Sequence, residues 1–387
     1  MKTKFLMIIL PLLVITQAIF LISCDNLLAP EDLNNIEGET QQPASSPSDK
    51  SPEPQPAPPD DLFIQAQGNT VAEQLEWVQA NAQSYGFYNV RAVLENEIIT
   101  NSHLIFYENR TNVTVRIQGE GNGSLLSLDK PIGPMFEVAD NNVTLILQNI
   151  TLRGHHNNSF PLVFVCLGTL EMGNNSAITG NMTKSASGGG IFADRGTVNM
   201  RENARIYNNR AISGGGIELY NSTVTMRDNA TIDNNSTYSN GGHGGGVSIG
   251  YESGLYMYDN AAIRNNIAHF NGGGVHLRSE NSSLNMHGNN VQISGNSALG
   301  NFAKGGGVHI EMRGFINISG GVIYGANAEP ALANTASERG AALCLTEGEA
   351  KVRLGSYNSA SGFTPSGVVF KSPFESNSTF RVIDGAL

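Results

Sequence analysis

The stretch Gly214-Gly-Gly-Ile-Glu-Leu-Tyr-Asn-Ser-Thr-Val-Thr-Met-Arg-Asp-Asn-Ala-Thr-Ile-Asp-Asn-Asn235 decides the fold. It opens on three glycines, passes through three short segments with an apolar residue at every second position, and closes on two asparagines. Alternation at period two marks strands with one buried face. The pattern recurs: Gly triplets begin at Gly188, Gly214, Gly244, Gly272 and Gly305, at spacings of 26, 30, 28 and 33 residues. Such periods belong to stacked architectures, in which a unit buries its apolar face only against its neighbours.

Aligning the units gives three strands in each. The first carries Ile191/Ala193, Ile217/Leu219, Val247/Ile249, Val275/Leu277 and Val308/Ile310. The second carries Leu170/Met172, Val198/Met200, Val224/Met226, Leu255/Met257, Leu284/Met286 and Ile316/Ile318, and the third Ala204/Ile206, Ala230/Ile232, Ala261/Ile263 and Val291/Ile293. One unit per coil, each coil lying on the last, wraps these residues around a single core. The expected fold is all-β, a parallel β-helix with three strands per coil, right-handed by the crossover rule for parallel strands. Weaker copies precede the triplets at Val143-Thr-Leu-Ile-Leu147, Asn149-Ile-Thr-Leu152 and Pro161-Leu-Val-Phe-Val165, and one follows at Gly340-Ala-Ala-Leu-Cys-Leu345. Residues 87–387 would then form about ten coils, a rod on the order of 50 Å at ~4.8 Å per coil.

Asparagines mark two corners in register. One column is Asn175, Asn203, Asn229, Asn260 and Asn289; the other is Asn181, Asn209, Asn235, Asn266 and Asn296. Asn tolerates positive φ, and its amide can bond the same amide one coil away, so both columns are expected to form structural ladders.

Composition agrees. Gly (44) and Asn (43) together exceed one residue in five of the 387, while charged residues are only 15%. Both are poor helix formers, and Gly does not recur at every third position, so an α-bundle and a collagen are excluded. A net charge of −11 argues against nucleic acid as a partner. Three cysteines make no disulfide framework, and Cys166 and Cys344, about six coils apart by the repeat count, are too distant to bridge.

The N-terminal part reads differently. Lys2 and Lys4 precede an apolar run over residues 5–22, interrupted by Pro11, and the segment ends Leu21-Ile-Ser-Cys24. That ending resembles the bacterial lipobox, which implies a signal peptide over residues 1–23 and a lipidated Cys24. Several acyl chains on one residue would anchor it stably to a membrane. Residues 24–60 hold eight of the 15 prolines and read as an extended disordered spacer. Residues 61–86 contain the one helix signal: Thr70-Val-Ala-Glu73 is a capping box, followed by the apolar stripe Val71, Leu75, Val78 and Ala82. This helix is expected to cap the open end of the stack.

The unit Gly-Gly-Gly-Val/Ile-x-Leu/Ile, then Thr-Val-x-Met, then Asn-Ala-x-Ile-x-x-Asn resembles the repetitive lipoproteins of spirochaetes, which carry a pectin-lyase-like right-handed β-helix. The likeness covers the lipobox, the spacer, the helix around Glu73-Gln-Leu-Glu-Trp77, the repeats and the closing Phe380-Arg-Val-Ile-Asp-Gly-Ala-Leu387. More remotely, Gly-Gly-Gly-Ile217 and Ile206-Tyr-Asn-Asn209 are similar to the repeats of chlamydial polymorphic outer-membrane proteins. Those relatives are adhesins exported through their own barrel, but no ~10-residue membrane strands follow the repeats here, so that route is not expected.

Three groups of side chains have the residue types for chemistry or binding. Glu202, Asp228 and Asp259 place one carboxylate per coil beside an Asn column, a weak candidate for Ca²⁺. With Arg201 and Arg227 adjacent, a self-compensated solvated corner is the expectation, and no metal or cofactor. His276 and His309 follow Gly triplets of adjacent coils, with Glu311 two residues beyond; they are expected to face outward on a polar solvent face, though a His pair beside a carboxylate has metal-ligand character. Tyr220, Tyr251, Tyr256 and Tyr258 could stack on sugar rings, while the Met column reads as core. The function expected is a non-catalytic, lipid-anchored rod of the bacterial envelope, placed at the outer membrane and exposed to a host matrix protein or glycan. The alternatives are a polysaccharide lyase or glycoside hydrolase, since this fold also hosts enzymes, and an envelope scaffold without external ligand.

Overall fold

The computed structural model describes residues 58–364 apart from 106–109, 122, 239–240, 327, 339, 347–350, 355 and 359–361. The signal segment, Cys24, nearly all of the Pro-rich spacer and the closing residues 365–387 lie outside the described residues.

One complete coil shows why the repeat folds as it does. Ile217–Tyr220, Thr223–Met226 and Thr231–Asp233 are successive strands, each pairing in parallel with its counterpart in the next coil. The register places like on like: Ile217 opposite Val247, Met226 opposite Met257, Ile232 opposite Ile263. The inward side chains Ile217, Leu219, Val224, Met226, Ala230 and Ile232 are all fully buried, and they continue into one core cluster that runs the length of the stack. Burial on this scale, roughly 1.5–3 kcal/mol for each large aliphatic side chain, offsets the cost of ordering so Gly-rich a chain.

Repetition builds three long parallel sheets of eleven, nine and nine strands. The eleven-stranded sheet holds the Met column, one nine-stranded sheet follows the Gly triplets, and the other holds the Ala-x-Ile strands. The fold is therefore a parallel β-helix of about nine turns, close to the ten expected. Cys166 and Cys344 sit on strands six steps apart in their shared sheet.

A fourth sheet was not anticipated. Arg210–Ala211, Ser236–Thr237, Ile267–Ala268, Ser297–Ala298 and Thr335–Ala336 pair in parallel as a five-stranded ladder between the second Asn corner and the Gly triplet. Two residues are too few to display an alternation, which is why a periodicity reading passes over them.

The triplets serve two needs. Gly214 has φ of +57°, in the left-handed region, and a Cβ on Gly215 would lie 2.4 Å from the Gly245 carbonyl oxygen of the next coil. Conformation demands the first glycine, and close approach between coils demands the second.

The helix spans Val71–Asn81 and packs on Phe87–Ala92 and His103–Ile105 at the N-terminal end of the stack. Thr70 Oγ1 accepts from the Glu73 amide at 3.1 Å, while the Glu73 carboxylate accepts from Asn69 N at 2.7 Å, one residue before the cap. Glu97, from the first coil, accepts from Val71 N at 2.8 Å and so ties the helix start to the sheet. Val71, Leu75, Val78 and Ala82 are buried in the common core. Ahead of the helix, Ile64–Gln65 adds a short strand that pairs with Tyr88 and Asn89.

Candidate functional site

The two Asn columns look alike in sequence but occupy opposite environments. In the inner one, Asn209 donates to Asn235, Asn235 to Asn266 and Asn266 to Asn296 at 3.0–3.1 Å, amide to amide, and every Oδ1 in that run also accepts a backbone N–H. Asn181 joins through its backbone amide, 3.1 Å from Asn209 Oδ1, and Asn158 and Asn334 extend the ladder at its two ends. The outer column is exposed: Asn203 bonds Asn175, Asn229 bonds Asn203 and Asn260 bonds Asn229 at 3.1–3.4 Å. Here one expectation is corrected. Asn290, not Asn289, donates to Asn260, at 2.8 Å. Between Met286 and Ile293 the chain has one residue more than between Met257 and Ile263, although both pairs are in register, and the extra residue shifts the ladder position by one.

Positive φ also falls elsewhere than expected. Along the two columns the left-handed residue is mostly the one before the ladder Asn: Glu202, Asp228 and Asp259 at one corner, Asn208, Asn234 and Asn265 at the other. This gives the acidic column its role. Asp228 Oδ2 accepts from Glu202 N at 2.9 Å and Asp259 Oδ2 from Asp228 N at 3.1 Å, so these carboxylates cap the turn of the preceding coil. The neighbouring arginines also reach other groups. Arg201 donates to Glu171 at 2.9 Å, and Arg227 stacks on the Tyr258 ring at 4.0 Å.

The outer face of the eleven-stranded sheet forms a groove of about 720 Å³. Its floor is built by register. Thr114, Thr144, Thr169, Thr197 and Thr223 stand opposite one another on five consecutive strands, one threonine per coil. Two residues along each strand runs a second outward row, Arg116, Ile146, Glu171, Asn199 and Thr225. In that row Asn199 Nδ2 donates to Glu171 Oε1 at 2.7 Å, and Arg201 holds the other oxygen of the same carboxylate. Burial pushes the Glu171 carboxyl above its ordinary range, against the opposing pull of Asn199 and Arg201. Tyr85 and Phe87 line one end of the groove and Glu202 its side. The threonine column, at ~4.8 Å spacing, presents hydroxyl donors and acceptors along an extended line, while Arg116, Ile146, Asn199 and Thr225 of the second row are buried.

The tyrosines do not gather into a single face. Tyr220 and Tyr251 pack together at 4.8 Å, Tyr258 is held between Arg227 and His287, and Tyr256 lies on the sheet. The Met column is buried, as its spacing implies.

His276 and His309 overturn the solvent-face expectation: they point out of the coil, yet are 1% and 0% exposed. His243, just before the Gly244 triplet of the preceding coil, stacks on His276 at 4.4 Å, with the Phe270 ring edge-on to His243 at 5.0 Å. His309 stacks on the far side at 5.2 Å, and Glu311 Oε1 stands 3.5 Å from His276 Nε2 and 3.6 Å from His309 Nδ1. Sequence spacing gives no sign of His243, which comes from a connection and not from a strand.

No protein-family model, curated protein or solved structure matches the chain. The class defined by the structure itself is the parallel β-helix.

Proposed function

We propose that this protein is a lipid-anchored rod of the bacterial envelope that binds an extended glycan along the eleven-stranded sheet without altering it. The observation that carries the reading is the threonine column, a line of hydroxyls across five coils along the groove. A linear polymer of hydroxyl-rich units can satisfy such a line at several points at once, with the rings at Tyr85 and Phe87 offering an apolar edge. A binding role is supported by Glu171, whose two carboxylate oxygens are held by Asn199 and Arg201. The anchor rests on the lipobox-like Leu21-Ile-Ser-Cys24 and the spacer that follows it.

A glycan and matrix-protein array tests the binding role. Retention of a polysaccharide several units long is the expected result; a silent array, or retention of matrix proteins alone, would count against it. Acyl labelling tests the anchor, and label that persists in Cys24→Ala would remove it. A second reading, a glycoside hydrolase, is favoured by one observation: Glu171 has the raised pKa of a general acid, in a groove also lined by Glu202. Release of reducing ends from the retained polysaccharide, abolished in Glu171→Gln, would establish that reading in place of binding alone.

A further inference from the structure

We propose that His243, His276 and Glu311 form a binding site for a divalent transition-metal ion of the zinc type, clamping three successive coils of the rod. Among the described residues, these three bring their ligating atoms to within 4.8 Å of one another. They come from three consecutive turns: His243 from the connection before Val247–Ile249, His276 from Val275–Leu277 and Glu311 from Val308–Glu311. Tetrahedral ligation at about 2.0–2.1 Å brings donor atoms to roughly 3.3 Å from each other, so side-chain rotations of about an ångström complete the set.

Donors stand ready for such an ion. His243 Nδ1 and both ring nitrogens of His276 are buried without a hydrogen bond, the 3.5 Å from His276 Nε2 to Glu311 Oε1 being longer than a normal one. Buried polar atoms left this way are costly, and a cation coordinated by them removes the cost. The protonation states agree with the geometry. Burial, with His276 alongside, holds the His243 imidazole well below its ordinary range. A neutral imidazole is the form that binds metal.

Nearby cations are already paired. Arg278 donates to the buried Glu218 at 2.7 Å, and Lys304 stands 3.8 Å from Glu338. Asn271 donates to Glu311 Oε1 at 3.3 Å and orients the carboxylate from outside the cluster. Two imidazoles and one carboxylate suit Zn²⁺ and its neighbours rather than Ca²⁺ or Mg²⁺, which take oxygen ligands. His309, with its Nδ1 3.6 Å from the same Glu311 oxygen, is placed to supply a fourth donor. His243 and Glu311 are only partly buried, which leaves the ion a route in.

The test uses the full chain without a histidine tag, stripped with chelator and titrated with ZnCl₂ by calorimetry, with thermal unfolding followed in parallel. One saturable equivalent and a raised unfolding midpoint are expected. Even outer-shell partners of a metal ligand are worth about 10- to 100-fold in affinity, so loss of a direct ligand should cost at least about 100-fold. His243→Gln and Glu311→Gln, both at partly exposed positions, should show that loss and no zinc-dependent rise in midpoint, with the circular dichroism of the parent. Wild-type protein that takes up no zinc would overturn the proposal, and so would folded variants that bind as the parent does.

Discussion

Replacing Asn266 with Ala should destabilise the rod far more than replacing Asn229, although each stands inside its column with a ladder partner on either side. Asn266 Oδ1 accepts from Asn235 N at 2.9 Å and from Asn235 Nδ2 at 3.1 Å, and its Nδ2 donates to Ile232 O and to Asn296 Oδ1, both at 3.0 Å. After truncation, Asn235 Nδ2 keeps the Ile206 carbonyl and Asn296 Oδ1 keeps the Asn266 amide, but the buried amide of Asn235 has no acceptor. A stranded buried donor costs about 1–3 kcal/mol and the lost bond to Ile232 about one more, so the change is about 2–4 kcal/mol. Asn229, bonded to Asn203 at 3.4 Å and to Asn260 at 3.1 Å in exposed positions, leaves groups that water can satisfy, so its change should stay within about 0.5 kcal/mol. Equilibrium urea unfolding followed by far-ultraviolet circular dichroism reads both. Equal losses, or a loss below about 0.5 kcal/mol for Asn266→Ala, would refute the view that the inner ladder holds coil to coil.

Further outcomes follow from the same structure. Gly215→Ala, whose Cβ would meet the Gly245 and Ser236 carbonyl oxygens at 2.4 Å, should cost at least about 1–3 kcal/mol in thermal unfolding. Gly173→Ala, with nothing nearer than the Glu202 carboxylate at 3.9 Å, should be neutral or stabilise by up to about 1 kcal/mol. Leu75→Asp places a charge in the contact between helix and first coil, and light scattering should then detect oligomers joined through the uncovered end. Glu97→Gln should be neutral or stabilising at pH 7, because burial raises the Glu97 carboxyl above its ordinary value of 4.5 and the ionised form therefore costs stability that appears as pH rises through the folded pKa. That advantage should vanish in unfolding measured below pH 4.5, where the carboxyl is protonated both folded and unfolded.

Much of the fold was legible because a coil imposes one rule many times. Val224 and Met226 point inward for the same reason as Leu255 and Met257, and register repeats the evidence at each turn. Corners were legible as positions but not as conformations: the sequence marks Asn203 and Asn229, whereas the strained φ sits on Glu202 and Asp228, one residue earlier. Burial outside the coil was the least legible. His276 and His309 are outward by alternation, yet both are buried, His276 beneath the His243 ring from a chain connection. The threonine column was visible as letters, Thr169, Thr197 and Thr223 opening successive second strands, but a groove requires the flanking walls, which lie in turns of irregular length.

The most direct test of the binding role is to fill the groove. Thr197 stands near the middle of the threonine column, with Thr169 and Thr223 on the adjoining strands, and Thr197→Trp would place an indole across the proposed line of contact while leaving the inward Val198 and Met200 in place. Affinity for the polysaccharide retained on the array should fall at least about tenfold, or about 1.4 kcal/mol, with unchanged circular dichroism. Undiminished binding by the folded variant would contradict the assignment of this sheet as the ligand face.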